Sequence, residues 1–449
     1  MQKFIVLSLC LLLGISTFAQ HTESHQQDVD VQSYTHHFTL NDTNNRIIGM
    51  SIISLKKTSH LPFYLDLEPQ DSSGIGMKVA SIQQIGKTLM DCMFEQDGEK
   101  LFIRPIKTDN NSYHFIIRYA GIPRDGLVIG ENKYGKRTFF GDNWPNRAHQ
   151  WFPCIDHPSD KATVGYFITA PSHYSIIANG KFQSKKMNAD KTQKTVHYQS
   201  ETELSTKIMV IGVANLKTDT VHSHHDFPIT SLVYPENEKE GFHDFAQADS
   251  ILDFFVQKIS AYPFEKLANV QSTTRFGGME NASCIFYDEH SITGDRSNEN
   301  LMVHEIAHQW FGNSASEKDW KHLWLSEGFA TYLTICYVEE KYGRKRMQQM
   351  LEKDRKKIIR FHEVNPRPVV DTTSNYLSLL NPNSYQKGSW FLHMLRNHVG
   401  DELFWKGIRS YYEKYQFSNA NTKDFMVVME QVAQRKLDKF FESWLRQVA

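Results

Sequence analysis

Between residues 31 and 217, apolar side chains recur with a period of two, the spacing that sends every second residue to one face of a β-strand. Such alternating or β-branched runs occupy 34–40, 47–55, 63–67, 101–104, 114–119, 164–170 and 174–178. Turn-forming pairs such as Asp97-Gly98 and Asn179-Gly180 break them up, and no helical period intervenes. Near Phe245 the period changes. Ile251, Phe254, Phe255 and Ile259 fall on one face of a helix that stops before Pro263. Further helices are predicted over 302–311, 327–342, 386–399 with Gly400 as its stop, and 422–434 with Thr422 as its N-cap. The pattern predicts a multidomain α+β chain, with an antiparallel β domain over 20–217 followed by a mostly helical domain over 218–449.

The first residues follow neither pattern. Lys3, the apolar run from Phe4 to Phe18 and the small residues flanking Phe18 read as a secretory leader over 1–19, cut before Gln20. About 15 apolar residues fall short of the roughly 20 that cross a bilayer, so a removable leader is favoured over an anchor. Export to a periplasm or the exterior is the expectation, with no stable membrane span after cleavage. Lys plus Arg number 50 against 51 for Asp plus Glu, which leaves no charge excess to hold nucleic acid. Beyond the leader, cysteines stand at 92, 154, 284 and 336, none at the short spacings of zinc ribbons or redox dithiols, so buried free thiols are expected.

The chemistry gathers in the helical half. His304-Glu305-Ile306-Ala307-His308 puts two imidazoles four residues apart, on one face of a helix, where both can meet one metal ion. A catalytic zinc site takes a third protein ligand and leaves a fourth position open. A three-histidine arrangement would ask for Gly and His where Phe311 and Ser314 stand. Glu327 meets the requirement instead, with 18 residues between it and His308, enough to end one helix and start a second alongside. Ser326 is expected to cap that second helix, leaving Glu327 in its first turn. Glu305, adjacent to His304, points to a water rather than to the metal and is the expected general base. One Zn2+ per chain is the expectation.

With these residues the sequence resembles the aminopeptidase N and leukotriene epoxide hydrolase family of zinc exopeptidases. The resemblance is carried by Gly277-Gly278-Met279-Glu280-Asn281, by the runs 304–313 and 324–332, by Tyr385-Gln386-Lys387-Gly388, by Asn146-Arg147 with 151–154 and Asp156, and by 440–445. It implies a thermolysin-like catalytic domain and an aminopeptidase acting on peptides with a free N-terminus. It also implies roles. Glu280 would grip the substrate's α-amino group within the segment Gly277, Gly278, Met279, Glu280 and Asn281, whose glycines would let backbone approach the substrate. Tyr385 would donate a hydrogen bond to the oxyanion, whereas read alone it is a packing residue ahead of a helix. Asp142, five residues before Arg147, stands where relatives carry Gln or Glu, and would support amine binding. Ser326 replaces the family's usual Asn, and the sequence ends shortly after Trp444, so a short form without the large helical C-terminal domain of many relatives is the expectation. The competing readings are an endopeptidase with the same chemistry, a lipid epoxide hydrolase and an inactive peptide-binding scaffold.

Overall fold

A computed structural model describes residues 28–448 apart from 109 and 374, so the expected leader lies outside the described residues. The alternation read from the sequence builds an eight-stranded sheet in the order Lys181–Met187, Gln193–Ser205, Lys161–Pro171, Val29–Thr39, Ile47–Lys57, Ser112–Ile122, Gly76–Ile85, Leu89–Asp91. Its register puts apolar positions opposite one another: Ile53 faces Phe115 and Leu55 faces Tyr113, all fully buried. Gly49 lies opposite Tyr119, and a Cβ there would sit 2.3 Å from the tyrosine ring, so the glycine makes room for it. The sheet departs from the expected antiparallel pattern at one join, since Val29–Thr39 runs parallel to Lys161–Pro171. A parallel join needs a long crossover. Here residues 40–160 form it, returning through a three-stranded sheet and part of a four-stranded one. Pairing of this kind leaves no trace in local periodicity.

A further, five-stranded sheet begins at Lys217. Its order is Lys217–Thr220, Ile229–Val233, Leu267–Ser272, Cys284–Asp288, Gly278–Met279. The three central strands are parallel, and Leu267–Ser272 is buried along its whole length, which removes the alternation by which a strand is recognised. Around this sheet stand helices α1 (Glu238–Phe245), α2 (Ala248–Lys258), α3 (Glu299–Ala307), α4 (Trp324–Tyr342), α5 (Arg344–Val364), α6 (Gly388–Val399), α7 (Asp401–Tyr415) and α8 (Thr422–Ala433). Two hydrophobic cores result: one fills the β domain and continues into one face of the later sheet through Leu232, Ala268, Val270, Cys284 and Phe286, and the other lies under the helices. The pattern did not announce α5, which buries only Met347, Leu351 and Asp354.

The cap of α8 is Asn421 rather than Thr422. The Asn421 side chain accepts from the Lys423 and Asp424 amides at 2.8 and 3.1 Å, while Asp424 accepts from the Asn421 amide at 2.9 Å. Thr422 Oγ1 is engaged by His322 and by the Trp324 indole, each at 2.9 Å. Cys92, Cys154, Cys284 and Cys336 are free and buried. Among the described residues no helix is long and apolar enough to cross a membrane.

Candidate active site

Helix α3 ends at Ala307, so His304 occupies its last turn and His308 its C-terminal boundary. Helix α4 starts at Trp324, three residues earlier than the expected Glu327, and its N-terminal boundary is Leu323. Ser326 is therefore inside the first turn and caps nothing. Its Oγ lies 3.1 Å from His308 Nδ1, which is also 3.1 Å from the Phe311 carbonyl. With Nδ1 donating to these oxygens, the Nε2 lone pair of His308 faces outward, the orientation a metal ligand requires. Gly312 makes the contact possible: at its φ of 122° a Cβ would fall 2.4 Å from Ser326 Oγ and 2.8 Å from His308 Nδ1.

Three donor atoms converge between the two helices. His304 Nε2 and His308 Nε2 are 3.1 Å apart, and Glu327 Oε2 lies 3.4 and 3.3 Å from them. A tetrahedral zinc with ligands at about 2.0–2.1 Å has edges of roughly 3.3 Å, so the donor triangle fits that ion. Its chemistry, two imidazoles and a carboxylate, fits as well.

Glu305 and Glu280 close the cluster from the other side, each within 4.8 Å of His308. Gly278 and Met279 form an edge strand paired with Tyr287 and Phe286, and this strand brings Glu280 to the site. The Glu280 carbonyl accepts from Gln309 at 2.8 Å and from Asn313 at 2.6 Å, which ties the segment to the stretch following α3. Glu280 Oε1 is buried and has no hydrogen-bond partner among the described residues. Three carboxylates, Glu280, Glu305 and Glu327, thus share one buried site with two imidazoles. Burial pushes the Glu305 carboxyl well above the usual carboxylate range, with His308 opposing and Glu280 and Glu327 reinforcing it. A divalent ion and one ammonium group would neutralise the three negative charges.

Tyr385 comes from a π-helical turn, Asn383–Lys387, that precedes α6, so the predicted start at residue 386 lies within this turn. Its ring stacks on His304 with centroids 6.0 Å apart. Burial, then the nearby Glu327, Glu280 and Glu305, push its hydroxyl well above the usual phenol range, which keeps it a proton donor. The turn reaches the triangle of His304, His308 and Glu327 because α4 and α6 cross at two glycines: a Cβ on Gly328 would sit 3.0 Å from Gly388 Cα.

A cleft of about 320 Å³ opens over this cluster, lined by Trp144, Phe276, Gly278, Met279, Glu280, His304, Glu305, His308, Glu327, Leu380 and Tyr385. The two glycines expected to face substrate behave differently. Gly278 lines the cleft, and a Cβ on it would lie 2.3 Å from Glu305 Oε1, whereas one on Gly277 would meet nothing closer than Leu301 Cδ1 at 3.8 Å. Asn281 is fully buried behind the cleft. Asp142 is not brought into it. Its Oδ1 accepts from Arg147 at 2.7 Å, and its Oδ2 from Thr274 Oγ1 at 3.3 Å and the Arg275 amide at 3.1 Å. With both oxygens engaged and no exposed surface, Asp142 fixes the loop that carries Phe276 rather than an amine. The sequence reading assigned no role to the apolar lining residues Trp144, Phe276 and Leu380, or to the supports Gln309, Gly312 and Asn313. Gln309 to Asn313 lie inside a recognised motif, which was the available signal. Trp144 and Leu380 join the site only through folding.

Two family models match in succession, the Peptidase M1 N-terminal domain over residues 30–208 and the Peptidase family M1 domain over 244–444. Glutamyl aminopeptidase of Homo sapiens is 30% identical over 361 residues, covering 75% of this chain and 37% of that protein. The chain thus spans under two fifths of that relative's length. An M1 zinc metallopeptidase from Deinococcus radiodurans has a similar fold, with a TM-score of 0.79 at 23% identity over 95% of both chains. Native yeast LTA4 hydrolase is also similar, with a TM-score of 0.82 at 19% identity over 94% of this chain and 68% of that one.

Proposed function

The chain belongs to peptidase family M1, and on that premise we propose that it is a zinc aminopeptidase that removes N-terminal residues from peptides. The observation that carries the reading is the triangle of His304, His308 and Glu327, with edges of 3.1–3.4 Å, facing two further buried carboxylates. When bound, zinc supplies Lewis acidity, polarising the scissile carbonyl and lowering the pKa of water at the site.

Glu305 takes the proton from the attacking water as its oxygen bonds to the carbonyl carbon. The same carboxyl then delivers that proton to the leaving nitrogen as the C–N bond breaks. The Tyr385 hydroxyl donates to the oxyanion, a contact stronger in the transition state than in the bound substrate. Glu280 receives the α-ammonium group: its unpartnered buried oxygen needs a cation, and a carboxylate at a set distance from the metal ligands presents only the first peptide bond. The leader-like segment adds export to the proposal, and N-terminal sequencing of the mature protein checks it at Gln20.

The deciding experiment pairs a good peptide substrate with its N-acetylated form, each with and without a chelator. The free-amine peptide should lose residues stepwise from its N-terminus, the chelator should stop this, and acetylation should nearly abolish it. Glu280→Ala should weaken the free-amine substrate and leave the acetylated one almost unchanged. Early internal cuts in the acetylated peptide would replace this reading with an endopeptidase.

A further inference from the structure

Away from the cleft, the loop between strands Lys217–Thr220 and Ile229–Val233 carries His224 and His225 and lies over α2, whose first two turns carry Asp249 and Asp253. His224 Nε2 lies 3.2 Å from Asp253 Oδ1, and His225 Nε2 lies 3.3 Å from the same oxygen and 3.9 Å from Asp249 Oδ1. These spacings resemble those of the catalytic triangle. The side chain of His225 is only 9% exposed, yet its Nε2 is buried without a hydrogen-bond partner among the described residues. A buried ring nitrogen beside two carboxylates, but aligned with neither, is short of a partner. From these residues we infer a second metal site, built by His224, His225 and Asp253, that takes a divalent transition cation such as Zn2+.

The loop is shaped for this. The His225 amide donates to Ser223 Oγ at 3.1 Å, and Ser223 Oγ donates to Asp249 at 2.5 Å, which pins the loop to α2. The His225 ring lies between those of His224 and Phe227, at centroid distances of 4.5 and 5.2 Å, so its direction is set by packing. Two imidazoles and one carboxylate favour zinc, nickel or copper over magnesium or calcium, which prefer all-oxygen sites. His224 is 71% and Asp253 47% exposed, so the ion exchanges with solvent and is held less firmly than one in the cleft. Bound there, it ties the loop and the strand that follows it to α2.

Equilibrium dialysis of the full chain against Zn2+, followed by metal analysis, tests the site. Wild type should take up one more ion per chain than the His224→Ala and Asp253→Asn variants. Each variant should weaken that uptake at least about 100-fold while keeping its fold by circular dichroism and its peptidase rate. Both changes are at exposed side chains, so folding should survive. Co2+ in place of Zn2+ should show imidazole-bound absorption that the variants lose. Equal metal content in wild type and both variants across the titration would overturn the inference.

Discussion

Replacing Gly278 with alanine perturbs Glu305, the proposed general base, and leaves His304, His308 and Glu327 untouched. The new Cβ would lie 2.3 Å from Glu305 Oε1, 2.5 Å from its Cδ and 2.6 Å from its Cγ, whereas ordinary contact starts near 3.4 Å. The Glu305 backbone is held within α3, so the relief must come from its side chain, which moves by about 1 Å. A displacement of that size at a reacting group costs on the order of 100-fold in rate, or about 2.7 kcal/mol of transition-state stabilisation. Gly277→Ala is the internal control, because its Cβ would meet nothing closer than 3.8 Å and Gly277 does not line the cleft. The assay is kcat/KM on an aminoacyl chromogenic substrate, with zinc content and thermal unfolding measured on the same preparations. Gly278→Ala should keep its zinc and lose about two orders of magnitude in rate, with Gly277→Ala close to wild type. A Gly278→Ala enzyme within threefold of wild type would refute the claim that this glycine makes room for the base.

Other outcomes follow from the same geometry. Glu305→Gln should retain zinc and lose turnover, whereas replacing His304, His308 or Glu327 should lower the metal content itself, as metal analysis beside rate measurements will resolve. Tyr385→Phe should cut kcat by roughly 100-fold to 1,000-fold with KM little changed, and an unchanged kcat would return Tyr385 to packing. Ser326→Ala removes a support of His308 and should weaken zinc affinity by about 10-fold to 100-fold in a competition titration with a chelator. In the β domain, burial disfavours a charged His149, but Asp156 at 2.7 Å, Glu99 and Asp66 outweigh it and push the imidazole up to about 10. Its folded value is raised above the ordinary one of about 6.5, so its contribution is complete below that pH and lost as the pH climbs to about 10. Thermal unfolding across that window should show wild type losing more stability than His149→Gln, by on the order of a few kcal/mol.

How much of the protein was legible in its sequence depends on how local the cause is. Where a residue's role rests on its neighbours along the chain, the sequence was enough. Period-two alternation announced strands such as Ile47–Lys57 and Ser112–Ile122, because one buried face imposes that period. The spacing of His304 and His308 announced that their imidazoles share one face, because helix geometry stacks residues four apart. Position in the fold decided the rest. Ser326 reads as a helix cap until Leu323 takes the boundary and Gly312 lets its hydroxyl reach His308. Asp142 reads as a support for amine binding until Arg147, Thr274 and the Arg275 amide close around it. The fully buried strand Leu267–Ser272 lost the alternation that would have revealed it, and Trp144 and Leu380, 236 positions apart in the chain, meet only across the cleft. Local periodicity records which face of an element is buried, but not which distant element buries it, and that second fact selects the partners of a carboxylate, a hydroxyl or an apolar wall.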